Sequence, residues 1–263
     1  MPLMDEFKEE RDAIKNGSFK DKVKYFWCYY KFHTIVTICV IGFAVILIHD
    51  IVSQKEDAFF AVMLNSAALD EEQTSAFRQN YADYAGIDTD EYDVLMDNTI
   101  SFSSSGTDDF AANLNELTMS ASQRLMVYTA AGELDVIIGN SEIFPNQANQ
   151  GMFHDLRDIL TEEQITKYEP YFYYVDQAYI DALDAAADNL SVTGEMDESL
   201  ATPPDPGKPE EMEQPIPVAI YVTNCETLTD AYWFGGDYTA LGVMVNAPNV
   251  DNALKFIDYV FDE

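Results

Sequence analysis

The apolar and polar positions of this chain divide at about residue 52. From Phe32 to Ile48 the sequence FHTIVTICVIGFAVILI runs seventeen positions without Asp, Glu, Lys or Arg. As a helix rising 1.5 Å per residue, that stretch covers about 25 Å, close to the hydrocarbon thickness of a bilayer. Its isoleucines and valines surround the helix and leave none of the polar stripe that a core helix of a soluble protein carries. A cleaved signal peptide would need a shorter leader and a small-x-small cleavage site, and the following IHDIVSQKED has none. The pattern predicts an uncleaved transmembrane helix over 32–52, preceded by a short basic and aromatic segment at 1–31.

Beyond residue 57 the periodicity alternates between strands and helices. AFFAVMLN at 58–65 is a continuous apolar run ending in polar residues, the mark of a strand buried on both faces. Leu69, Phe77, Tyr81 and Tyr84 then recur at helical spacing, with Gly86 as the stop. EYDVLMDNTISF at 91–102 reads as a second strand. After the polar SSSGTDD, Thr107 or Asp108 can cap a long helix through Phe110, Leu114, Leu117, Ala121, Leu125 and Tyr128. Gly132 closes that helix, and Leu134 to Ile138 is a short buried strand. This order predicts an α/β domain over 57–263 with a mostly parallel sheet flanked by helices. A helix at DQAYIDALDAAADNL follows. A Pro- and acid-rich insertion at about 191–215 then reads as an exposed loop or disordered segment.

Charge assigns the two sides. Residues 1–31 hold seven Lys and Arg against six Asp and Glu, so the whole-chain net of −33 becomes −34 beyond them. Lysines before the span and acids after it predict a cytoplasmic N-terminus and an extracellular C-terminal domain at the cell membrane. So acidic an exterior disfavours nucleic acid and anionic lipid as partners. It suits a small neutral solute, a sugar, a peptide or a membrane protein partner. Cys225 is the only cysteine past the span, so no disulfide can form within the outer domain, which suits a Gram-positive type of exterior.

The junction Gly139-Asn140-Ser141, where a strand feeds a helix, is the kind of place where open α/β sheets bind ligands. Asn65 and Ser66 end the first strand in the same way. Tyr232, Trp233 and Phe234 run into Gly235-Gly236, an aromatic turn able to stack on a sugar or hold a peptide, or else to plug the sheet end. The ligand-binding candidates are therefore Asn65, Ser66, Asn140, Ser141 and Trp233. YEPYFYYVD at 168–176 has the same two readings as the aromatic turn. Catalysis is not expected. His154 is the only histidine of the outer region, and no nucleophile elbow, zinc-protease, P-loop or dinucleotide pattern occurs. GIDTDEYD at 86–93 lacks the glycine and terminal glutamate of a calcium loop. Neither a cofactor nor a metal is expected.

AAGELDVIIGNSEIF followed by GMFHDLRDILTEEQ, together with ALGVMVNAPNVDNALKFIDYVFDE at 240–263, resembles the first lobe of extracellular type 2 solute-binding proteins of ABC transporters. The resemblance rests on Gly151, Asp155, Leu156 and Arg157, and on Asn246 in a turn before a helix carrying Asp251, Ala253, Phe256 and Tyr259. It covers about half of the outer region. Between Tyr174 and Val218 there is no room for a second lobe, so the resemblance implies one reduced, membrane-anchored lobe. The expectation is a non-catalytic binding protein; the alternative is a scaffold or accessory subunit of a membrane complex.

Overall fold

The computed structural model describes residues 18–53, 55–102, 109–193, 200 and 202–262. It separates into two units, 1–55 and 56–263. In the first, helix α1 (Phe19–Ser53) is continuous for 35 residues. Its window Lys31–Ile48 is long and apolar enough to cross a membrane, and no part of that window is buried. The helical residues before 32 continue the span without a break. Asn-Gly is a strong helix stop, and the break it predicts at Asn16-Gly17 lies outside the described residues.

The second unit is a six-stranded mixed sheet covered by helices. Its strands are β1 (Glu56–Leu64), β3 (Tyr92–Asp97), β4 (Val136–Asn140), β5 (Phe172–Asp176), β6 (Pro215–Tyr221) and β8 (Thr239–Val243). A separate ribbon pairs β2 (Ser66–Ala68) with β7 (Tyr232–Phe234). The sheet order is β3-β1-β4-β8-β6-β5. β1 is parallel to both β3 and β4, whereas β4–β8, β8–β6 and β6–β5 are antiparallel. The expectation of a mostly parallel sheet is corrected: two of the five pairings are parallel. The apolar runs do mark strands buried on both faces, but burial on both faces does not set strand direction.

β1 shows how one run serves two cores. Phe59, Ala61 and Met63 pack on one face with Val136, Ile138, Leu241 and Val243. Phe60, Val62 and Leu64 pack on the other with Ile137, Ala240 and Val218. This is the period of two of a pleated strand with a core on each side. Helices α2 (Glu71–Ala85) and α9 (Val250–Phe261) close the first face, where Phe256 lies 4.8 Å from Phe59 and 5.0 Å from Tyr81, centroid to centroid. α2 starts later than the periodicity implied. Asp70 caps it by accepting from Glu72 N, and Leu69 is left outside, largely exposed. Gly86, at φ 72°, ends it in the left-handed conformation that glycine adopts without a Cβ penalty.

The opposite face is covered by α3 (Asp109–Ala131), the short α4 (Phe144–Ala148) and α7 (Gln177–Thr193). The proposed cap residues Thr107 and Asp108 lie outside the described residues. α3 is fastened to the sheet edge by Arg124, whose guanidinium donates to Asp97 Oδ2 at 2.7 Å and Thr99 Oγ1 at 2.9 Å. The second strand is shorter than its apolar pattern and stops at Asp97.

Of the Pro- and acid-rich segment, 194–199 and 201 lie outside the described residues, and 202–214 run as irregular chain with one 3-10 turn at Pro209–Glu211. Its residues 202–214 are mostly exposed yet fastened along the free edge of β5. Tyr174 N donates to Pro206 O there, the bond from Gln177 N to Gln214 O extends the β5–β6 ladder by one step, and Met212 is buried. The segment thereby occupies backbone groups that an open sheet edge would leave unpaired. Asp176 anchors it by accepting from Glu213 N, Gln214 N and Ala178 N.

Candidate functional site

β1 and β4 lie side by side and parallel, so their carboxyl ends bring Asn65-Ser66 next to Asn140-Ser141. The ribbon completes the group, since Ser66 pairs with Phe234 and Ala67 with Trp233. All five candidate residues therefore gather at one end of the sheet. Asn65, Ser66, Asn140 and Ser141 each bond the protein's own backbone through a side-chain atom. Asn65 holds a left-handed backbone at φ 53°. Its Nδ2 donates to Phe102 O at 3.1 Å, and its Oδ1 accepts from Phe102 N at 2.6 Å. Ser66 Oγ donates to Met63 O. Asn140, buried, accepts from Glu142 N through Oδ1 and so shapes the turn that enters α4.

Ser141 Oγ accepts from Asp237 N at 2.9 Å, while Ser141 N donates to Tyr238 O. Gly236 makes that approach possible. A Cβ there would stand 2.4 Å from Ser141 Oγ, and its φ of 87° is one that side-chain-bearing residues avoid. Tyr232 is buried against Phe77, and Trp233 is 59% exposed on the outer face of the ribbon. In the 168–176 cluster, Tyr168, Phe172 and Tyr173 are core residues. Burial pushes the Tyr173 hydroxyl well above its ordinary range, and the neighbouring Tyr238 and Tyr221 push it further.

Beside this frame, on the face covered by α3 and α4, lies a cavity of about 700 Å³. Leu125, Met126, Thr129 and Ala130 of α3 form one wall. Ile143, Asn146, Gln147, Gln150 and Met152 form another, and Phe102 closes an end. None of the five predicted residues lines it. Asn65 and Asn140 stand one step behind, holding Phe102 and the entry to α4. Asn246 does the same for α3, donating from Nδ2 to Thr129 O at 3.0 Å.

Among the described residues, the cavity lining carries no Asp, Glu, Lys, Arg or His. Two of its polar side chains are left over. Gln147 is a buried residue, 6% exposed, and its carboxamide makes no hydrogen bond among the described residues. The Thr129 hydroxyl oxygen is sequestered and likewise finds no partner. A buried polar atom without a partner costs roughly 1–3 kcal/mol, and the Thr129 hydroxyl is the one such side-chain atom among the described residues.

Sequence reasoning passed over Gln147, although a signal was there. Phe144, Gln147 and Ala148 share the i, i+3, i+4 face of a helix, which puts a carboxamide at an inward position. Among the described residues, no group of three or more His, Cys, Asp or Glu could hold a metal ion. The chain matches no protein-family model, no curated protein and no solved structure.

Proposed function

We propose that this is a single-pass, membrane-anchored binding protein without catalytic activity, whose outer domain acts as a reduced, solute-binding-like lobe. The observation that carries it is the junction of two opposite surfaces in one chain. Ten large apolar side chains between Ile35 and Ile48 stand exposed on α1. Left in water they would cost on the order of 20 kcal/mol, which lipid removes. Two residues after α1, the chain enters a domain with a complete core of its own and a heavy excess of acid. The lysines before the span support a cytoplasmic N-terminus. A protein of this design displays a domain beyond the membrane, and the cavity gives that domain something to hold. The test is a C-terminal epitope tag in intact cells treated with external protease. Loss of the tag is expected, and a tag protected until the membrane is permeabilised overturns the proposal.

One observation favours the second reading, an accessory subunit of a membrane complex. Met119, Met126 and Val127 project from α3 at exposures of 64%, 71% and 63%. If that surface meets a protein, one membrane protein co-purifies in stoichiometric amount with the native chain and is lost from the Met119→Asp, Val127→Asp variant.

A further inference from the structure

We infer that the cavity between α3 and α4 is a binding site for an uncharged small molecule with an apolar body and an amide head, received by the Gln147 carboxamide. This deepens the proposal that the outer domain binds a ligand and rests on it. Three observations converge on that ligand class. The first is size: about 700 Å³ lies within the range of about 300–1,000 Å³ typical of small-molecule sites.

The second is the wall. Phe102, Leu125, Ile143 and Met152 offer aromatic, aliphatic and thioether surface. Among the described residues, none in the lining offers a charge to pair with a charged ligand. A carboxylate or ammonium entering here would surrender its hydration without compensation. The acidic surroundings repel anions further.

The third is the pair of leftover polar groups. A carboxamide presents one acceptor oxygen and a two-proton donor side by side, and the group that answers both at once is another amide. Gln147 is buried, unpartnered among the described residues and part of the lining. The Thr129 hydroxyl, on the facing helix, adds one more donor and acceptor. A sequestered hydroxyl without a partner and an unbonded carboxamide stationed together in one cavity are what a site completed by its ligand presents. The surrounding frame is correspondingly well made: Asn65 holds Phe102, Asn246 holds the backbone of Thr129, and Asn140 sets the turn into α4.

The experiment uses the full chain reconstituted in lipid nanodiscs, with empty nanodiscs as the blank for partition into lipid. The probes are N-acetyl-leucinamide (neutral), N-acetyl-leucine (anionic) and leucinamide (cationic), titrated by calorimetry. N-acetyl-leucinamide is expected to bind above the blank, and the two charged probes at least tenfold more weakly.

Gln147→Leu keeps the volume and removes the amide. It should weaken the neutral probe about tenfold, the worth of a lost hydrogen bond, while raising the melting temperature of the unliganded protein. Ala130→Trp, at an exposed position on the rim, should fill the cavity and abolish binding. A neutral probe that gives no heat beyond the blank overturns the inference, as does unchanged affinity in both variants. A charged probe that binds more tightly than the neutral one overturns the ligand class and leaves the binding proposal standing. That proposal is judged separately, by the protease result on the tagged chain.

Discussion

Asn65 holds Phe102 across 37 positions of sequence by a reciprocal pair of hydrogen bonds, its side-chain amide imitating a strand partner for the Phe102 backbone. The pair turns the chain leaving β3 back over the end of β1, where Asn65 N also donates to Ile100 O. Phe102 is thereby fixed as an end wall of the cavity. Asn65, chosen from sequence as a ligand-binding candidate, bonds the protein's own backbone one layer behind the cavity.

This relationship separates two substitutions. Asn65→Gly keeps the left-handed backbone and loses both side-chain hydrogen bonds, a cost of about 1–2 kcal/mol. Asn65→Ala loses the same bonds and keeps a Cβ in a left-handed residue without the polar side chain that lets asparagine tolerate it, which adds about 1 kcal/mol. Chemical denaturation should therefore rank native above Gly above Ala, and equal midpoints for the two variants would refute this account.

Gly242 and Phe153 make a second such pair. A Cβ on Gly242 would stand 2.6 Å from Phe153 Cδ1, because the ring lies flat against the strand and stacks on Phe144 at 5.2 Å. Gly242→Ala should cost about 1–3 kcal/mol through overpacking. Trimming the ring with Phe153→Leu should recover part of that loss, so the double variant should be more stable than the sum of the singles by about 1 kcal/mol. Additive losses would mean that the ring is not what limits the site.

Much of the frame is visible in the sequence because local chemistry writes it there. The doubly buried run at 58–64 reads as β1, and Gly86 and Gly132 end helices where their positive φ is needed. Asn65 and Asn140 sit at the ends of neighbouring strands because both follow apolar runs of the same kind. What local chemistry does not carry is pairing between distant segments. β8 enters the sheet antiparallel beside β4, and its burial pattern is as complete as that of β4, which runs parallel to β1. Nor does composition show that the Pro-rich stretch fastens to β5, since that depends on Asp176 meeting Glu213 and Gln214. The cavity was hidden for a related reason: its lining comes from three separated segments, and only Gln147 bears a local mark.

The division at residue 56 predicts that the piece 56–263 folds without the anchor, since its two cores use no residue before Phe59. That piece retains one of the two tryptophans, Trp233, which is 59% exposed. Its fluorescence should be red-shifted in the native state and open to quenching by acrylamide. Iodide should quench less than caesium does, because the acidic surface repels anions. Blue-shifted emission resistant to acrylamide would place the indole in the core and contradict the exposure of the ribbon.

Asp176 gives the fold a dependence on acid whose sign follows from its surroundings. Burial pulls its carboxyl upward, but three backbone N–H donors, from Glu213, Gln214 and Ala178, outweigh it and hold the group below its ordinary value of 3.8. The folded state thus favours the ionised form. The contribution is complete above the ordinary carboxylate value and is lost as pH falls through the lowered one. Asp176→Asn replaces one acceptor oxygen with an amide nitrogen facing a donor, and should cost about 1.5–3 kcal/mol at pH 6. The gap between native and variant should stay constant down to about pH 5 and narrow below pH 4. Asp135 works in the opposite sense. Burial raises its carboxyl despite the hydrogen bonds from Phe60 N and Asn249, so its contribution improves as pH falls from the raised value toward the ordinary one. Urea denaturation of native protein, Asp176→Asn and Asp135→Asn between pH 3 and pH 7 separates the two. A stability gap for Asp176→Asn that widens on acidification would show that the N–H donors around this carboxylate do not govern its ionisation.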